Sequence, residues 1–274
     1  MTSEVTVLVT GATDGIGLQT AIDLARAGAK LALHGRSPSK LSEAARSVEA
    51  ARSGSVAAQL CADLASLAEV RRLAAEVQAK LPRLDVLLAN AGVFKKSLER
   101  TVDGFEATFA VNHLSHLLLC HELMPMLRRS AGSRVVVVSS MAHGQGRVDF
   151  DDLTGEKHFS GYGAYALSKL ANVLFTVELA RRTQGHPTAN SLHPGVVGTN
   201  LLREGFGSSG RESLSEGAET SVYLCLSPDV ADKSGAYFVR KSPAPMHKLA
   251  ADESATARFY ERSCELVGVA PLPE

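Results

Sequence analysis

The stretch Val5-Thr6-Val7-Leu8-Val9-Thr10-Gly11-Ala12-Thr13-Asp14-Gly15-Ile16-Gly17 decides how the rest of the chain is read. A short β-branched run, too brief for a signal or spanning segment, meets a glycine-rich turn that opens a helix. Glycines there permit a tight turn and close approach of backbone to a pyrophosphate, whose charge the helix N-terminus can meet. The spacing is Gly-x-x-x-Gly-x-Gly, and no Walker-type Gly-Lys-Ser/Thr occurs anywhere. A strand-to-helix connection alone would also explain it, so the reading needs support from further along.

That support is an alternation of short β-branched runs with longer alanine- and leucine-rich segments. Strands are expected near 5–10, 30–34, 56–61, 84–90, 134–140, 188–192 and 235–239. Helices are expected near 15–28, 38–51, 66–80, 103–129, 162–184, 216–227 and 254–266, with Ser66-Leu67-Ala68-Glu69 in capping-box spacing. Such alternation predicts an α/β fold: one doubly wound, Rossmann-type parallel sheet of about seven strands with helices on both faces. All 274 residues form one domain, with a C-terminal extension over about 241–274. Residues 141–160 and 200–215, rich in Gly, Ser and charge, follow strands and are expected to be substrate loops, because ligands bind at the carboxyl ends of parallel strands.

The 29 basic and 29 acidic residues cancel, which argues against nucleic acid or an anionic membrane as partner and for a small molecule. The expectation is a cytoplasmic protein without a membrane anchor. Cys61, Cys120, Cys225 and Cys264 are widely spread in apolar stretches, as suits buried thiols in a reducing compartment. His113, His116, Cys120 and His121 crowd one helix, but their offsets do not assemble a closed ligand set, so no metal site is expected.

Tyr165-Ala166-Leu167-Ser168-Lys169 places a tyrosine and a lysine about 6 Å apart on a helix, where the ammonium can stabilise the phenolate. A second match, Tyr237-Phe238-Val239-Arg240-Lys241, falls in an expected strand, where the same spacing spans roughly 13 Å and the groups cannot couple.

Thr10 to Gly17, Asn90-Ala91-Gly92, Asn112, Ser140, Tyr165 with Lys169, and Pro194-Gly195-x-x-x-Thr199 together resemble the classical short-chain dehydrogenase/reductase family, in order, over roughly residues 5 to 240. Val138-Ser139-Ser140-Met141-Ala142-His143, Gly155-Glu156-Lys157, Ser168-Lys169-Leu170-Ala171-Asn172 and His193-Pro194-Gly195 are further similar to its retinol dehydrogenase-like branch. The resemblance implies an oxidoreductase moving hydride between a nicotinamide and a carbonyl or alcohol of a small, apolar molecule. Tyr165 would be the general acid/base, Lys169 would lower its pKa and hold the nicotinamide ribose, and Ser140 would bond the substrate oxygen. Asn112 would hold a relay water. Thr10, Gly11, Asp14, Gly15, Ile16 and Gly17 would line the pyrophosphate and Asp63 and Leu64 the adenine. Asn90, Ala91 and Gly92 would brace the sheet beside the cofactor, and Pro194, Gly195, Val197 and Thr199 would meet the nicotinamide. The family often has Asn-Asn-Ala-Gly; here Ala89 takes the first place.

At the end of the second strand, Gly35 stands where an NAD enzyme would carry an acid, and Arg36 and Ser37 follow, which favours NADP(H) over NAD(H). A non-catalytic NADP-binding redox sensor and an enzyme reducing C=C bonds or epimerising are the competing readings. The intact Asn112, Ser140, Tyr165 and Lys169 set weighs against the sensor. The resemblance also implies a homodimer or homotetramer formed through the helices carrying Asn112 and Tyr165, unless the tail beyond 240 covers them.

Overall fold

The computed structural model describes residues 4–207 and 210–273. Its single sheet runs in the order β3-β2-β1-β4-β5-β6-β7-β8. The strands are β1 (Thr6–Val9), β2 (Lys30–Gly35), β3 (Val56–Cys61), β4 (Val86–Ala89), β5 (Arg134–Val138), β6 (Thr188–His193), β7 (Tyr237–Val239) and β8 (Ser242–Pro243). All pair in parallel except β7 with β8.

Strand periodicity sends alternate residues to two cores. Val7, Val9, Val136 and Val138 pack with α1 (Gly15–Arg26), α2 (Pro38–Ala51) and α8 (Leu214–Leu226). Leu8, Val135 and Val137 pack with α3 (Leu67–Lys80), α5 (Ser115–Arg129), α6 (Gly161–Thr183) and α9 (Glu253–Val267). The order reverses direction between β1 and β4, and that switch point fixes where a ligand crevice opens.

The eighth strand goes beyond the expected seven. Arg240 and Lys241 both have positive φ (49° and 64°) and turn β7 back onto β8 as a two-residue hairpin. No glycine or asparagine announces that turn. The helix expected over 103–129 starts later, because Gly104 (φ 87°) makes a turn and buried Glu106 caps α4 (Ala107–Phe109) through the Thr108 and Phe109 amides at 2.8 and 2.6 Å. A π-helical turn, Ala110–Leu114, then leads into α5. At α3, Ser66 caps as expected, accepting from Glu69 N at 3.4 Å, but the Glu69 carboxylate pairs with Arg72 at 2.7 Å instead of closing the box. The complete capping box is Ser213 with Glu216 at α8.

The helix bearing Tyr165 and Lys169, α6, is buried on nearly all sides. Its cover is α9, whose Phe259, Tyr260, Cys264 and Val267 are buried against α5 and α6. Glu178, fully buried, pairs with Arg182 at 2.5 Å, and the Arg182 guanidinium lies 4.9 Å over the Tyr260 ring and 3.2 Å from Glu261. The helix faces expected to carry subunit association are thus occupied from within the chain. In the expected substrate loops, Met141–Gln145 form a 3₁₀ turn and Asn200–Phe206 form α7, while Ser208 and Ser209 lie outside the described residues. No described helix is long and apolar enough to cross a membrane.

Candidate active site

The glycine turn and the start of the β4 loop lock together at the switch point. Buried Thr10 accepts the Asn90 and Ala91 amides on Oγ1 at 2.9 and 3.0 Å, and the Asn90 side chain donates to the Thr10 and Gly11 carbonyls at 2.8 and 3.3 Å. A Cβ at Gly17 would lie 2.1 Å from the Gly11 carbonyl oxygen, and one at Gly11 2.9 Å from Ala91 Cα, so glycine is what lets α1, the turn and the β4 loop pack this closely. The first turn of α1 points its amides toward the switch point. Asp14, expected among the pyrophosphate residues, caps α1 through the Gly15 amide at 2.7 Å and accepts from Asn200 Nδ2 at 2.7 Å. It is a cap and a latch to α7. Thr199 caps α7 and lays its methyl over Gly15.

His34, a polar residue inside an apolar strand, was given no role in the sequence reading. It is 3% exposed, accepts from the Gly11 amide on Nδ1 at 3.2 Å, and lies 3.1 Å from the Ala62 carbonyl on Nε2. These partners require a neutral ring with its proton on Nε2, consistent with burial holding its pKa down to about 4. Beyond it, a Cβ at Gly35 would lie 2.4 Å from Thr13 Cγ2, so an acidic side chain could not occupy position 35 with Thr13 where it is. Arg36 is exposed and Ser37 begins α2. Asp63 turns its carboxylate onto the Ala65 amide at 2.9 Å, and Leu64 sends its side chain into the core. After β6, Gly195 (φ 98°) leads to Val197, whose side chain packs against Gly217 of α8 and leaves only its backbone toward the crevice. Glu212, also unassigned from sequence, holds this loop through the Val196 amide at 2.9 Å.

At the end of β5 the two serines diverge as strand alternation demands. Ser139 donates to the Lys169 carbonyl at 2.7 Å and is structural, whereas Ser140 caps the 3₁₀ turn and hydrogen-bonds the Tyr165 hydroxyl. Lys169 Nζ lies 5.6 Å from the centre of the Tyr165 ring and donates to the Val138 carbonyl at 3.1 Å. Tyr165 and Lys169 are 8% and 3% exposed. The lowering of the tyrosine pKa expected from Lys169 does not appear: burial pushes Tyr165 up to about 12 against the pull of the Ser140 bond, and burial pushes Lys169 down to about 8.

Asn112 sits in the π-helical turn. Its side chain brackets Val93, accepting from the amide at 2.7 Å and donating to the carbonyl at 3.0 Å, and donates to Ser168 Oγ at 3.0 Å. Ser168 in turn donates to the Tyr165 carbonyl at 2.8 Å. Four residues on, His116 contacts the Asn112 carbonyl through Nδ1 at 3.0 Å and Thr10 Oγ1 through Nε2 at 3.1 Å. Buried and neutral, with its proton on Nδ1, it joins the glycine turn to the π-helical turn that carries Asn112. Of the other histidines in the cluster weighed as metal ligands, His113 meets Ser263 at 3.1 Å and His121 meets the Tyr260 hydroxyl at 2.7 Å.

A reversing parallel sheet, a glycine turn locked to the β4 loop at its switch point and a Ser-Tyr-Lys cluster at the end of β5 are an oxidoreductase architecture, and the chain belongs to the short chain dehydrogenase family, which its residues 5–207 match. Within that family it falls in the retinol dehydrogenase-like branch. Retinol dehydrogenase 14 of Mus musculus is 42% identical over 96% of this chain and 86% of its own length, and retinol dehydrogenase 13 of Homo sapiens is 41% identical over 96% and 85%. Among solved structures, an uncharacterised protein from Mycobacterium paratuberculosis superposes with TM-score 0.80 at 34% identity, covering 98% of this chain and 95% of its own. A short chain dehydrogenase from Escherichia coli CFT073 complexed with NADPH superposes with TM-score 0.74 at 27% identity, over 87% and 97%.

Proposed function

We propose that the protein is an NADP-dependent oxidoreductase acting on a carbonyl or alcohol of a small, apolar molecule, with Tyr165 as general acid/base. The observation that carries this reading is the Tyr165 hydroxyl bonded to Ser140, beside Lys169, at the end of β5. The residues fit a dinucleotide: the glycine turn leads straight into α1, whose first-turn amides can meet a pyrophosphate. NADP(H), when bound, supplies or accepts the hydride. In reduction, Tyr165 gives its proton to the carbonyl oxygen as the carbon gains hydride, and Ser140 bonds the same oxygen as charge develops. Lys169 supports the phenolate left behind. Asn112 Oδ1 and Lys169 Nζ both lie beside Gly92, which supports Asn112 as the holder of a water that relays protons to Lys169. Preference for the 2′-phosphate rests on Arg36 and Ser37, and on Gly35 standing where an NAD enzyme carries an acid. The NADPH-bound Escherichia coli neighbour and the retinol dehydrogenase relatives support the cofactor and an apolar alcohol or aldehyde respectively.

The test is loss of NADPH absorbance against aldehydes, ketones and quinones, with Tyr165→Phe alongside. Turnover that falls by roughly 100-fold or more in the variant, with cofactor binding kept, is the expected result. Cofactor binding without turnover in the wild type across a broad panel would overturn the reading in favour of a sensor.

A further inference from the structure

Tyr237, the tyrosine of the unproductive second Tyr-x-x-x-Lys match, lies on β7 and turns toward the α6 face of the sheet. It is 2% exposed, yet its hydroxyl has no hydrogen-bond partner. An orphaned buried hydroxyl is costly and calls for an explanation. Its ring packs 4.5 Å from that of His143, three residues beyond Ser140, and both border an open cavity of about 630 Å³. Met141, Val239, Pro245 and Met246 give that cavity apolar walls. His143 Nδ1 lies 2.7 Å from the Ser140 carbonyl, a partner that can only accept, so Nδ1 carries the proton and Nε2 keeps its lone pair. Burial lowers the His143 pKa, which keeps the ring in this neutral form. Met141, His143 and Gly144 of its lining belong to the 3₁₀ turn that Ser140 caps, so the cavity adjoins the reacting centre.

We propose that this cavity is the seat of the non-reacting part of the substrate, and that Tyr237 and His143 form a donor and acceptor pair there for a hydroxyl carried away from the reacting carbon. The proposal rests on the carbonyl/alcohol reading of the Ser140-Tyr165 centre and narrows it to apolar hydroxy-aldehydes, hydroxy-ketones or diols. A hydroxyl matches because it both accepts from a phenol and donates to an imidazole lone pair; an alkyl end leaves Tyr237 unsatisfied, and a carboxylate meets the His143 lone pair with repulsion.

Two measurements test it. Medium-chain n-alkanals and ω-hydroxyalkanals of matched length are compared by kcat/KM with wild type and Tyr237→Phe. The wild type should prefer the hydroxylated probe by about tenfold at one chain length, and the variant should lose that preference while keeping its rate on the plain alkanal and its NADPH affinity. Calorimetric titration of the NADP-loaded wild type with α,ω-diols and the matching primary alkanols gives a readout that needs neither turnover nor a variant. Tighter diol binding at one length supports the site even if no carbonyl is reduced, in which case only the catalytic reading falls. Equal binding of diol and alkanol at every length, a preference that survives Tyr237→Phe, or equal losses on both aldehydes in the variant would each overturn the proposal.

Discussion

Replacing Lys169 by Met should make the protein more stable while abolishing its activity, and the gain should depend on pH. The ammonium is 3% exposed and burial lowers its pKa from 10.5 to about 8. A folded-state value below the unfolded one means that the unfolded chain binds the proton more tightly, so the native state is penalised wherever that proton is present. The penalty is absent above about pH 10.5, grows as pH falls toward 8, and is complete below that. Its full size is about 3 kcal/mol, at about 1.4 kcal/mol for each pH unit between the two values. Methionine is of similar length, and the Val138 carbonyl that Lys169 serves keeps its second donor, Asn172 Nδ2, at 3.2 Å. Lys169→Met should therefore raise the unfolding free energy by up to about 3 kcal/mol near neutral pH, with a thermal midpoint on the order of 5–10 °C higher. Urea titrations of both proteins at about pH 7 and about pH 10.5 provide the check, and the difference should shrink toward zero at the higher value. A variant no more stable than wild type, or an advantage equal at both pH values, would show that the buried ammonium carries no such cost.

Two further substitutions probe the cofactor end. Gly17→Ala drives a Cβ to 2.1 Å from the Gly11 carbonyl oxygen and 2.4 Å from Asn90 Nδ2, so fluorescence titration should show NADPH binding lost, with roughly 1–3 kcal/mol of stability lost as well; retained affinity would mean the turn is not the pyrophosphate cradle. Arg36→Ala should lower kcat/KM for NADPH by about tenfold, the lower end of what a charge-assisted bond is worth because the guanidinium is exposed, with NADH unaffected and the gap narrowing at high salt. Equal losses with both cofactors would assign the 2′-phosphate contact elsewhere.

Much of this was readable in the residues because the governing interactions are local. Val135 to Val138 could only be a buried strand, and the family pattern singles out Ser140, whose neighbour Ser139 turns the opposite way. What escaped depends on distant partners. Tyr165 and Lys169 are enclosed by groups far away in sequence, the Phe94 ring beside Tyr165 and the Val138 carbonyl at Lys169 Nζ, which helix periodicity does not encode. The roles of His34 and His116 exist only through Gly11, Ala62, Thr10 and the Asn112 carbonyl, contacts that neither composition nor spacing encodes; a polar ring within an apolar strand was the one available sign for His34. The β7–β8 hairpin was missed because Arg240 and Lys241 adopt a turn that ordinarily calls for glycine or asparagine.

The docking of α9 also sets an order of events for the nascent chain. Arg182 donates to the Leu272 carbonyl, 90 positions downstream at 2.6 Å, and α6 takes its cover from a segment translated long after the sheet strands that flank it. Until then Phe175 and the Glu178–Arg182 pair face water, and the α5–α6 surface offers an apolar landing place to other unfinished copies. Once translated, α9 competes from the same chain at an effective concentration that no separate copy matches, so closure becomes unimolecular. Damage to this clasp should therefore show itself first as lost yield during synthesis, before any change in the chemistry at Tyr165.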